Sequence, residues 1–411
     1  MSTGPKRVTN VLLTCPLDTG VGGVQVVLRD LVHALEQNGR QVHFVYGAPF
    51  ANLRLVEATS GLGRRASYCP MPTVVGNSAL LSLPVFLLYL PITLFHLTRL
   101  MRRKQIDVVN CHFLGEYFLH LVIAARLLRV PVVVSVHGAE IDGYAEASPV
   151  SRFVFRLIMR GADRIVGCSE ALARQTSEAF PDLRSKITYV HNGLDLSHYE
   201  ATSQAHEFPR PFLLCACRHV RKKGVDTLLR AFELIRHECP ALTLVLLGDG
   251  PLFEEHKALA RTLGIETRVL FVGSVAHAEV SAFFEACELF VLPSRAEPFG
   301  VVLLEAAYHK KGIVCTRVGG VPEIITNGVN GVLVEPDDPA GMAAQILALL
   351  RNPESAERLG AQAHATLMTR FLWKDRIHDY IEIYEGSAQP SPVDVDPNGQ
   401  RHPSLLGGRA Q

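Results

Sequence analysis

The sequence has almost no excess charge, since 41 Lys and Arg residues stand against 40 Asp and Glu residues, for a formal net charge of +1. A chain without a net positive field does not attract nucleic acid over its whole surface, so we expect no nucleic-acid partner. The nine cysteines are scattered through apolar runs and lack the spacing of a zinc site or a disulfide framework. They are expected to be small buried side chains in a reducing compartment.

The sequence also lacks a recognisable targeting signal at its start. The first ten residues are polar, and the apolar run after them is too short for the core of a secretory signal. We therefore expect a cytoplasmic protein. Residues 387–411 are rich in Pro, Ser and Gly without periodicity, which predicts a disordered tail. The one Asp-x-Asp pair, Asp394 with Asp396, falls in this tail, so no metal site is expected.

Short apolar runs alternate with longer amphipathic segments along most of the chain, a pattern typical of parallel sheets covered by helices. A polar stretch between Tyr199 and Pro211 interrupts the alternation, which then begins again. The sequence therefore predicts an α/β fold with two domains. We place them at 1–205 and 206–372, followed by a helix at 373–386 and the tail at 387–411.

One segment, from Ser78 to Leu100, has no Asp, Glu or Lys and is followed at once by Arg102, Arg103 and Lys104. Its length approaches that of a membrane span, but Pro84 and Pro91 are expected to break it. A buried pair of helices is the plain interpretation. One alternative is a spanning helix, which is disfavoured because it would cut the first sheet in two. The other is a peripheral contact through 78–104, in which the basic cluster binds anionic headgroups at the inner face of the cell membrane.

The chain is organised around Pro293–Glu305, where a buried strand is followed by a tight turn and then a helix. The start of a helix presents free amide N–H groups and positive charge, which suits a phosphate. Glu297 and Glu305 stand on either side of the turn. Because Glu305 comes about one and a half helical turns after Gly300, one ligand would reach both the turn and Glu305. A helix-start acidic residue with an unrelated surface Glu is the plain alternative.

Other polar residues follow strands, at the edge where open parallel sheets bind their ligands. Arg218 and Lys223 offer a clamp for a diphosphate, although such a basic run is more often a solvated surface. His137 ends a strand and would bind a sugar hydroxyl or a phosphate, unless it is structural. Gly22 and Gly23 form a turn between a strand and a helix, where a nearby anion or a simple backbone requirement would explain them.

Taken together, these residues resemble family-four retaining nucleotide-sugar glycosyltransferases, which have the GT-B fold: two Rossmann-like domains with parallel sheets that face an interdomain cleft. The similarity covers most of Val8–Glu385. In chain order, the motifs that carry it are Gly22-Gly23, His137-Gly138, Arg218-x4-Lys223-Gly224, Gly248-Asp249-Gly250, Pro293-Ser294-x-x-Glu297-Pro298-Phe299-Gly300-x4-Glu305 and Gly319-Gly320-Val321-Pro322-Glu323. Cys217 and Pro298 stand where the family commonly has glycine.

The resemblance implies a role for each matching position. Glu297 would bind the transferred sugar and Glu305 the nucleotide ribose, while Arg218 and Lys223 would hold the diphosphate in place of a metal. The remaining implied donor contacts come from the backbone around Phe299, Gly300, Val301 and Gly248, and from Gly22, Gly23 and His137 in the first domain. The implied reaction needs no cofactor beyond the nucleotide diphosphate sugar.

The implied activity is transfer of a hexosyl unit from a UDP- or GDP-sugar to a saccharide or lipid-linked acceptor, as in surface polysaccharide or glycolipid synthesis. Two other classes stay open. A catalytically silent carbohydrate-binding subunit would keep the fold without the reaction. A nicotinamide-dependent oxidoreductase is disfavoured because the dinucleotide fingerprint needs a third glycine where this chain has Gln25.

Overall fold

The computed structural model describes residues 8–14, 23–48, 66–72, 79–112, 114–199 and 211–386. Two parallel sheets dominate these ranges, and their central strands are short apolar runs whose residues are nearly all buried. The strands of the first sheet are β1 (Asn10–Thr14), β2 (Gln41–Ala48), β3 (Ala66–Pro70), β4 (Val108–His112), β5 (Val132–Val136), β6 (Arg164–Gly167) and β7 (Ile187–Tyr189). Those of the second sheet are β8 (Phe212–Ala216), β9 (Thr243–Leu247), β10 (Val269–Gly273), β11 (Leu289–Leu292), β12 (Gly312–Thr316) and β13 (Val332–Val334).

Helices connect the strands and cover the sheets. In the first half they are α1 (Gly23–Gln37), α2 (Ala79–Arg103), α3 (Phe118–Leu128), α4 (Ala139–Asp142), α5 (Pro149–Gly161) and α6 (Glu170–Ala179). In the second half they are α7 (Val225–Ile235), α8 (Phe253–Thr262), α9 (His277–Ala286), α10 (Val301–Tyr308), α11 (Val321–Ile324), α12 (Pro339–Arg351), α13 (Pro353–Arg370) and α14 (Trp373–Tyr384). The predicted α/β class with two parallel sheets is confirmed.

The strand order is β3-β2-β1-β4-β5-β6-β7 in the first sheet and β10-β9-β8-β11-β12-β13 in the second, and every pairing is parallel. In both sheets the order reverses beside the first strand of the domain, β1 or β8. Open α/β sheets bind ligands at the carboxyl ends of the strands near such a reversal. The topology therefore predicts a ligand site at the loops that follow β1, β4, β5, β8 and β11.

The last helix, α14, returns to the first domain after the second sheet is complete. Its residues Trp373, Ile377 and Tyr384 are buried in the same apolar cluster as β1, β2 and α1. The Tyr384 hydroxyl accepts a hydrogen bond from Asn110 Nδ2 on β4 at 2.7 Å, and Glu385 pairs with Arg40 at 3.0 Å. The chain thus crosses between the domains twice. The boundary near 205 and the tail at 387–411 lie outside the described residues.

The apolar segment after residue 78 differs from its predicted form. A single helix, α2, runs through Pro84 and Pro91, so the expectation that these prolines break the segment into a buried pair of helices is wrong. Each interior proline costs a helix about 3 kcal/mol. Burial of Leu97 and Met101 in the core of the first domain and packing of Phe86 on His120 of α3 offset this cost, while the opposite side of α2 is exposed.

Most of the described cysteines are the small buried side chains that the sequence predicted. All eight cysteines in the described ranges are unpaired, and six of them are buried. Burial in apolar surroundings raises the pKa of the Cys111 and Cys287 thiols to about 12, which leaves them protonated and unreactive. They act as small apolar side chains.

Candidate active site

The turn after β11 carries the most buried acidic side chain of the cleft. Glu297 is 7% exposed, and its Oε2 forms an ion pair with Lys223 Nζ and accepts a hydrogen bond from Ser294 Oγ at 3.2 Å. Burial works against the charge of Lys223, but the adjacent Glu297 carboxylate outweighs it and raises the lysine pKa. The predicted clamp lysine and the predicted sugar-binding glutamate are therefore in direct contact.

Arg295, which sequence reasoning did not single out, braces this turn. Its guanidinium contacts both carboxylate oxygens of Asp226 at 2.8 and 2.7 Å and Asp337 at 2.6 Å. These hydrogen bonds raise the pKa of Arg295 and lower that of Asp226. The backbone amides of Arg295 and Ala296 donate to the carbonyl of Lys222 at 2.8 and 3.2 Å. The loop after β11 is thereby fastened to the loop after β8.

Gly224 allows this close approach of the two loops. It has φ +62, and a Cβ at this position would overlap the carbonyl oxygen of Pro293. Glycine adopts such a backbone at no cost and, because it has no side chain, leaves room for the neighbouring loop. Lys223, which precedes it, is held in a short 3-10 turn over Arg221–Lys223.

The helix that follows the turn begins at Val301, after Gly300 with φ +100. The first amides of any helix have no carbonyl partner inside the helix and carry partial positive charge, so the start of α10 can bind an anion. Phe299 is 2% exposed, and its ring packs on His191 with 5.6 Å between centroids. The Phe299 side chain is a structural anchor, which leaves its backbone for any ligand contact.

Arg218 and Gly248 lie beside each other at the ends of β8 and β9. Gly248 has φ +107 and abuts the carbonyl of Cys217. The Arg218 side chain is exposed and makes no hydrogen bond or ion pair with any residue that the structure describes. It is free to turn towards a ligand in the cleft.

Glu305 lies on α10 and contacts Tyr199 at the end of the first domain. Its Oε1 accepts a hydrogen bond from the Tyr199 hydroxyl at 2.9 Å. Burial and the Glu305 carboxylate together raise the Tyr199 pKa far above its ordinary value, so this phenol stays protonated. Tyr199 is the last described residue before the polar stretch between the domains.

The first domain contributes a histidine pair to the cleft. His137, directly after β5, and His112, at the end of β4, are joined by a hydrogen bond between His137 Nε2 and His112 Nδ1 at 3.1 Å. Burial lowers the pKa of His137 to about 4 and also lowers that of His112, so both rings are neutral at pH 7. Because His112 holds one His137 nitrogen, it restricts which tautomer His137 can present.

The two domains meet next to these residues. A Cβ at Gly138 would overlap the ring of Pro298, so the His137-Gly138 turn touches the Glu297-Pro298 turn directly. Ser169 Oγ donates to the Pro298 carbonyl at 2.5 Å. A small cavity opens at this junction, lined by Asp142 and Gln175 on one side and by Arg295, Glu297 and Gly319 on the other.

Glu323 of the second domain also crosses the junction, a role that its motif did not reveal. Its carboxylate accepts hydrogen bonds from the amides of Glu170 and Ala171 at the start of α6, both at 2.9 Å, and contacts His191 Nε2 at 2.7 Å. Although burial opposes ionisation, these contacts lower the pKa of Glu323. A carboxylate at a helix N-terminus is stabilised by the helix dipole.

The structure therefore brings Lys223, Glu297, the start of α10 and His137 to one point between the domains. Arg218 and Gly248 lie at the neighbouring strand ends, and Glu305 lies further along α10. Gly23 is the first residue of α1, whereas Gly22 lies outside the described residues. Within the described ranges, no three His, Cys, Asp or Glu side chains are placed to hold a metal ion.

Comparison with known proteins gives matches over both domains. The family described as glycosyl transferases group 1 matches residues 200–366, and the family described as glycosyltransferase family 4 matches residues 21–198. A glycogen synthase of Mycobacterium tuberculosis is 30% identical over 296 residues, which cover 70% of this chain and 71% of the relative. The N-acetyl-alpha-D-glucosaminyl L-malate synthase of Bacillus anthracis is 27% identical over 89% of this chain and 94% of its own length.

Among solved structures, Anabaena Alr3699/HepE in complex with UDP and glucose aligns with a TM-score of 0.70 at 20% identity. The alignment covers 92% of this chain and 99% of that one, and it shows that the two proteins share a fold. Two parallel Rossmann-like sheets, an interdomain site and family matches over both halves lead to one conclusion. The chain belongs to the glycosyl transferases group 1 family, with a family-four N-terminal domain and the GT-B fold, and is a glycosyltransferase.

Proposed function

We propose that this glycosyltransferase moves a hexosyl unit from a UDP- or GDP-sugar to a hydroxyl of a saccharide or lipid-linked acceptor, with retention of anomeric configuration. The observation that carries the proposal is the buried Lys223–Glu297 pair beside the start of α10, in a turn that touches His137-Gly138 across the cleft. The HepE complex with UDP and glucose supports a nucleotide-sugar donor for this fold. The product would enter surface polysaccharide or glycolipid synthesis.

The donor diphosphate would lie between Lys223, Arg218 and the first amides of α10. Lys223 uses one of its ammonium N–H groups on Glu297, so two remain for phosphate oxygens. Arg218 offers a bidentate fork from the neighbouring strand end. Positive groups held at the departing phosphate stabilise the charge that develops there, and we therefore propose that transfer needs no metal ion and no further cofactor.

Glu297 would hold the hexose through its hydroxyls, and Glu305 with Tyr199 would hold the ribose. Neutral His137 would contact the hexose from the first domain. In the proposed step the acceptor oxygen bonds to the anomeric carbon on the face that the phosphate leaves. The bond between the anomeric carbon and the phosphate oxygen breaks, and that oxygen takes the proton of the acceptor hydroxyl.

The first experiment is a thermal-shift screen of the full chain with UDP- and GDP-hexoses. A donor present at 100 times its dissociation constant stabilises the folded protein by about 2.7 kcal/mol through mass action. The donor that raises the melting temperature is then offered with candidate acceptors, in buffer with and without EDTA. Retention is read from the anomeric proton coupling of the product. Transfer that stops with EDTA, or a product of inverted configuration, would overturn the corresponding part of the proposal.

Glu297→Gln tests the sugar-binding role with little change in shape. A buried carboxylate that hydrogen-bonds the substrate contributes about 2–4 kcal/mol, so we expect kcat/KM to fall by about 30- to 1000-fold. The matched control is Glu254→Gln, on α8 of the same domain, whose side chain is 77% exposed and pairs with Lys257. Activity of the Glu297 variant within a few-fold of the control would refute the assignment.

A further inference from the structure

Large apolar side chains are exposed mainly on three adjacent helices of the first domain. Of the twelve that the described ranges expose, five lie on α2 between Val85 and Phe95, one is Leu127 on α3, and two are Phe153 and Leu157 on α5. These helices pack side by side on one side of the first sheet, while α1 and α14 cover the other side. We name this three-helix surface the α2–α3–α5 face.

The outward side of α2 carries apolar side chains where a surface helix usually carries polar ones. Leu88, Ile92 and Phe95 follow at helical spacing and are 70%, 49% and 59% exposed. The same side continues with exposed Arg99 and Arg102 near the end of the helix. A surface helix normally directs its apolar residues to the core and polar ones to water. Contiguous exposed apolar residues of this kind mark an interaction surface.

The charge on this face has one sign. Helices α2, α3 and α5 contain seven arginines and no Asp or Glu. Arg126 pairs with Asp163, and Arg156 and Arg160 share Asp182, both acids coming from neighbouring loops. Four further arginines and one lysine of the face are exposed and form no ion pair within the described part of the chain: Arg99, Arg102, Arg103, Lys104 and Arg152.

We propose that the α2–α3–α5 face docks on the surface of an anionic lipid bilayer. Exposed Leu, Ile and Phe side chains would enter the boundary between headgroups and acyl chains, and the arginines would contact lipid phosphates. By length and composition alone, the stretch Pro84–Arg103 is apolar enough to span a membrane. Its inner side, however, is packed on the sheet through Leu97 and Met101, so α2 lies on the bilayer and does not cross it.

A second copy of the chain is a poorer occupant for this face. A symmetric contact places the same patch against itself, so the unpaired arginines of both copies would be brought together. Like charges brought together across an interface cost several kcal/mol. A bilayer rich in anionic lipid satisfies the apolar and the basic residues at once.

The face also has a defined relation to the active site. Helices that follow parallel strands run antiparallel to them. The first turns of α3 and α5 therefore lie at the sheet edge where β4 ends at His112 and where His137 follows β5. The end of α2 lies at the opposite edge, directly before β4 begins, so a protein docked with the whole face flat on the bilayer would hold one rim of its cleft at the lipid surface. This step rests on the proposed function, since it makes a lipid-linked saccharide the acceptor, whereas docking itself does not depend on the reaction.

The test is co-sedimentation of the full chain with vesicles of phosphatidylcholine alone and of phosphatidylcholine mixed with phosphatidylglycerol. We expect binding to the mixed vesicles that weakens with added salt, since surface charges are screened. Each cation near an anionic surface contributes about 1 kcal/mol, so Arg102→Ser, Arg103→Ser and Lys104→Ser together should lower the partition coefficient about 100-fold. Leu88→Ser with Ile92→Ser and Phe95→Ser should abolish measurable binding.

Two control variants change the same residue types on the second domain. One replaces the exposed apolar residues Leu234, Leu270 and Met368 by Ser, and the other replaces the exposed arginines Arg230, Arg261 and Arg358 by Ser. Both should sediment as the unchanged chain does. Thermal shifts with the donor sugar, measured on all variants, should stay at the value of the unchanged chain and show that each variant is folded.

Several results would overturn the proposal. The first is that the chain does not sediment with mixed vesicles, and the second is that it sediments equally with both vesicle types. The third is a concentration-dependent dimer in solution that dissociates in the α2 variants. Failure of the proposed function has a different signature, because a chain that binds no nucleotide sugar would still sediment with anionic vesicles. If docking delivers the acceptor, the α2 variants lose transfer to a lipid-linked saccharide and keep hydrolysis of the donor.

Discussion

Replacement of Lys223 by Met separates the structural role of the Lys223–Glu297 pair from its chemical role. The two side chains are only 18% and 8% exposed, so the substitution leaves an uncompensated carboxylate in the cleft wall. Removing one partner of a buried ion pair costs about 3–5 kcal/mol. A loss of about 3 kcal/mol in a domain of this size lowers the melting temperature by roughly 6–12 °C.

The double variant Lys223→Met with Glu297→Gln removes both charges. It should recover most of the lost stability, since a neutral amide is far easier to bury than a lone carboxylate. Transfer should stay absent in the single and in the double variant, because the phosphate clamp is missing from both. Melting is followed by circular dichroism, and transfer by release of the nucleoside diphosphate.

The matched control is Lys257→Met, which breaks the pair with Glu254 at 3.0 Å on the surface of α8. Exposed pairs contribute about 0–1 kcal/mol, so its melting temperature should fall by less than about 4 °C. A Lys223→Met protein as stable as this control would show that the pair is not energetically coupled. An active double variant would show that the site lies elsewhere.

Three further predictions concern the junction of the domains. Burial lowers the His137 pKa to about 4, so between pH 6.5 and 4 the unfolded chain binds a proton at this residue that the folded chain does not. The contribution of His137 to stability should therefore fall by about 2 kcal/mol from pH 7 to pH 5, and His137→Gln should remove that part of the pH slope in melting curves. Gly138 has φ +109, and Gly138→Ala places a Cβ against the ring of Pro298. The clash should push the domains apart, which lowers kcat/KM and increases the radius of gyration measured by X-ray scattering. Glu323→Gln removes the charge that binds the start of α6 and weakens the contact between the two domains. The free energy of unfolding should fall by about 1–3 kcal/mol, which lowers the melting temperature by several degrees.

Each of these predictions has a contrary result. A melting curve of the His137 variant that keeps the full pH slope would assign the effect to other groups. Gly328→Ala is a control for Gly138, since Gly328 has φ +74 but no atom within 4 Å of the added carbon, so backbone strain alone acts there. Equal losses in both glycine variants would dismiss the clash with Pro298. Unchanged melting of the Glu323 variant would show that its contacts across the domains carry no net stability.

The sequence by itself determined the class of the fold and the position of most strands. Runs such as Phe212–Ala216 and Leu289–Leu292 are short, apolar and followed by turn residues, and the local pattern suffices because a strand buried on both faces has no polar positions. The same local logic located the turn at Glu297 and the helix that begins at Val301. Edge strand β3 has a weaker pattern, because its short stretch Ala66–Pro70 contains both polar residues and a proline, and it becomes a strand through its pairing with β2.

Contacts between distant residues were decided only by the tertiary structure. The sequence placed Lys223 and Glu297 in one site, but their direct ion pair spans 74 positions and depends on Arg295, which fastens one loop to the other. Glu323 was visible as part of a motif, yet its partners at the start of α6 belong to the other domain. Pairing of this kind follows from the strand order, which no local pattern contains.

For the apolar segment after residue 78, too, the sequence predicted one part of the outcome and the tertiary structure decided the rest. Its composition predicted an unusual contact, and its prolines predicted a break, because helix propensity is a local quantity. Packing of Leu97 and Met101 in the domain core and of Phe86 on α3 kept α2 continuous and turned Leu88 and Phe95 outward. Composition can show that apolar residues are present, but which of them reach the surface is settled by the elements packed against them.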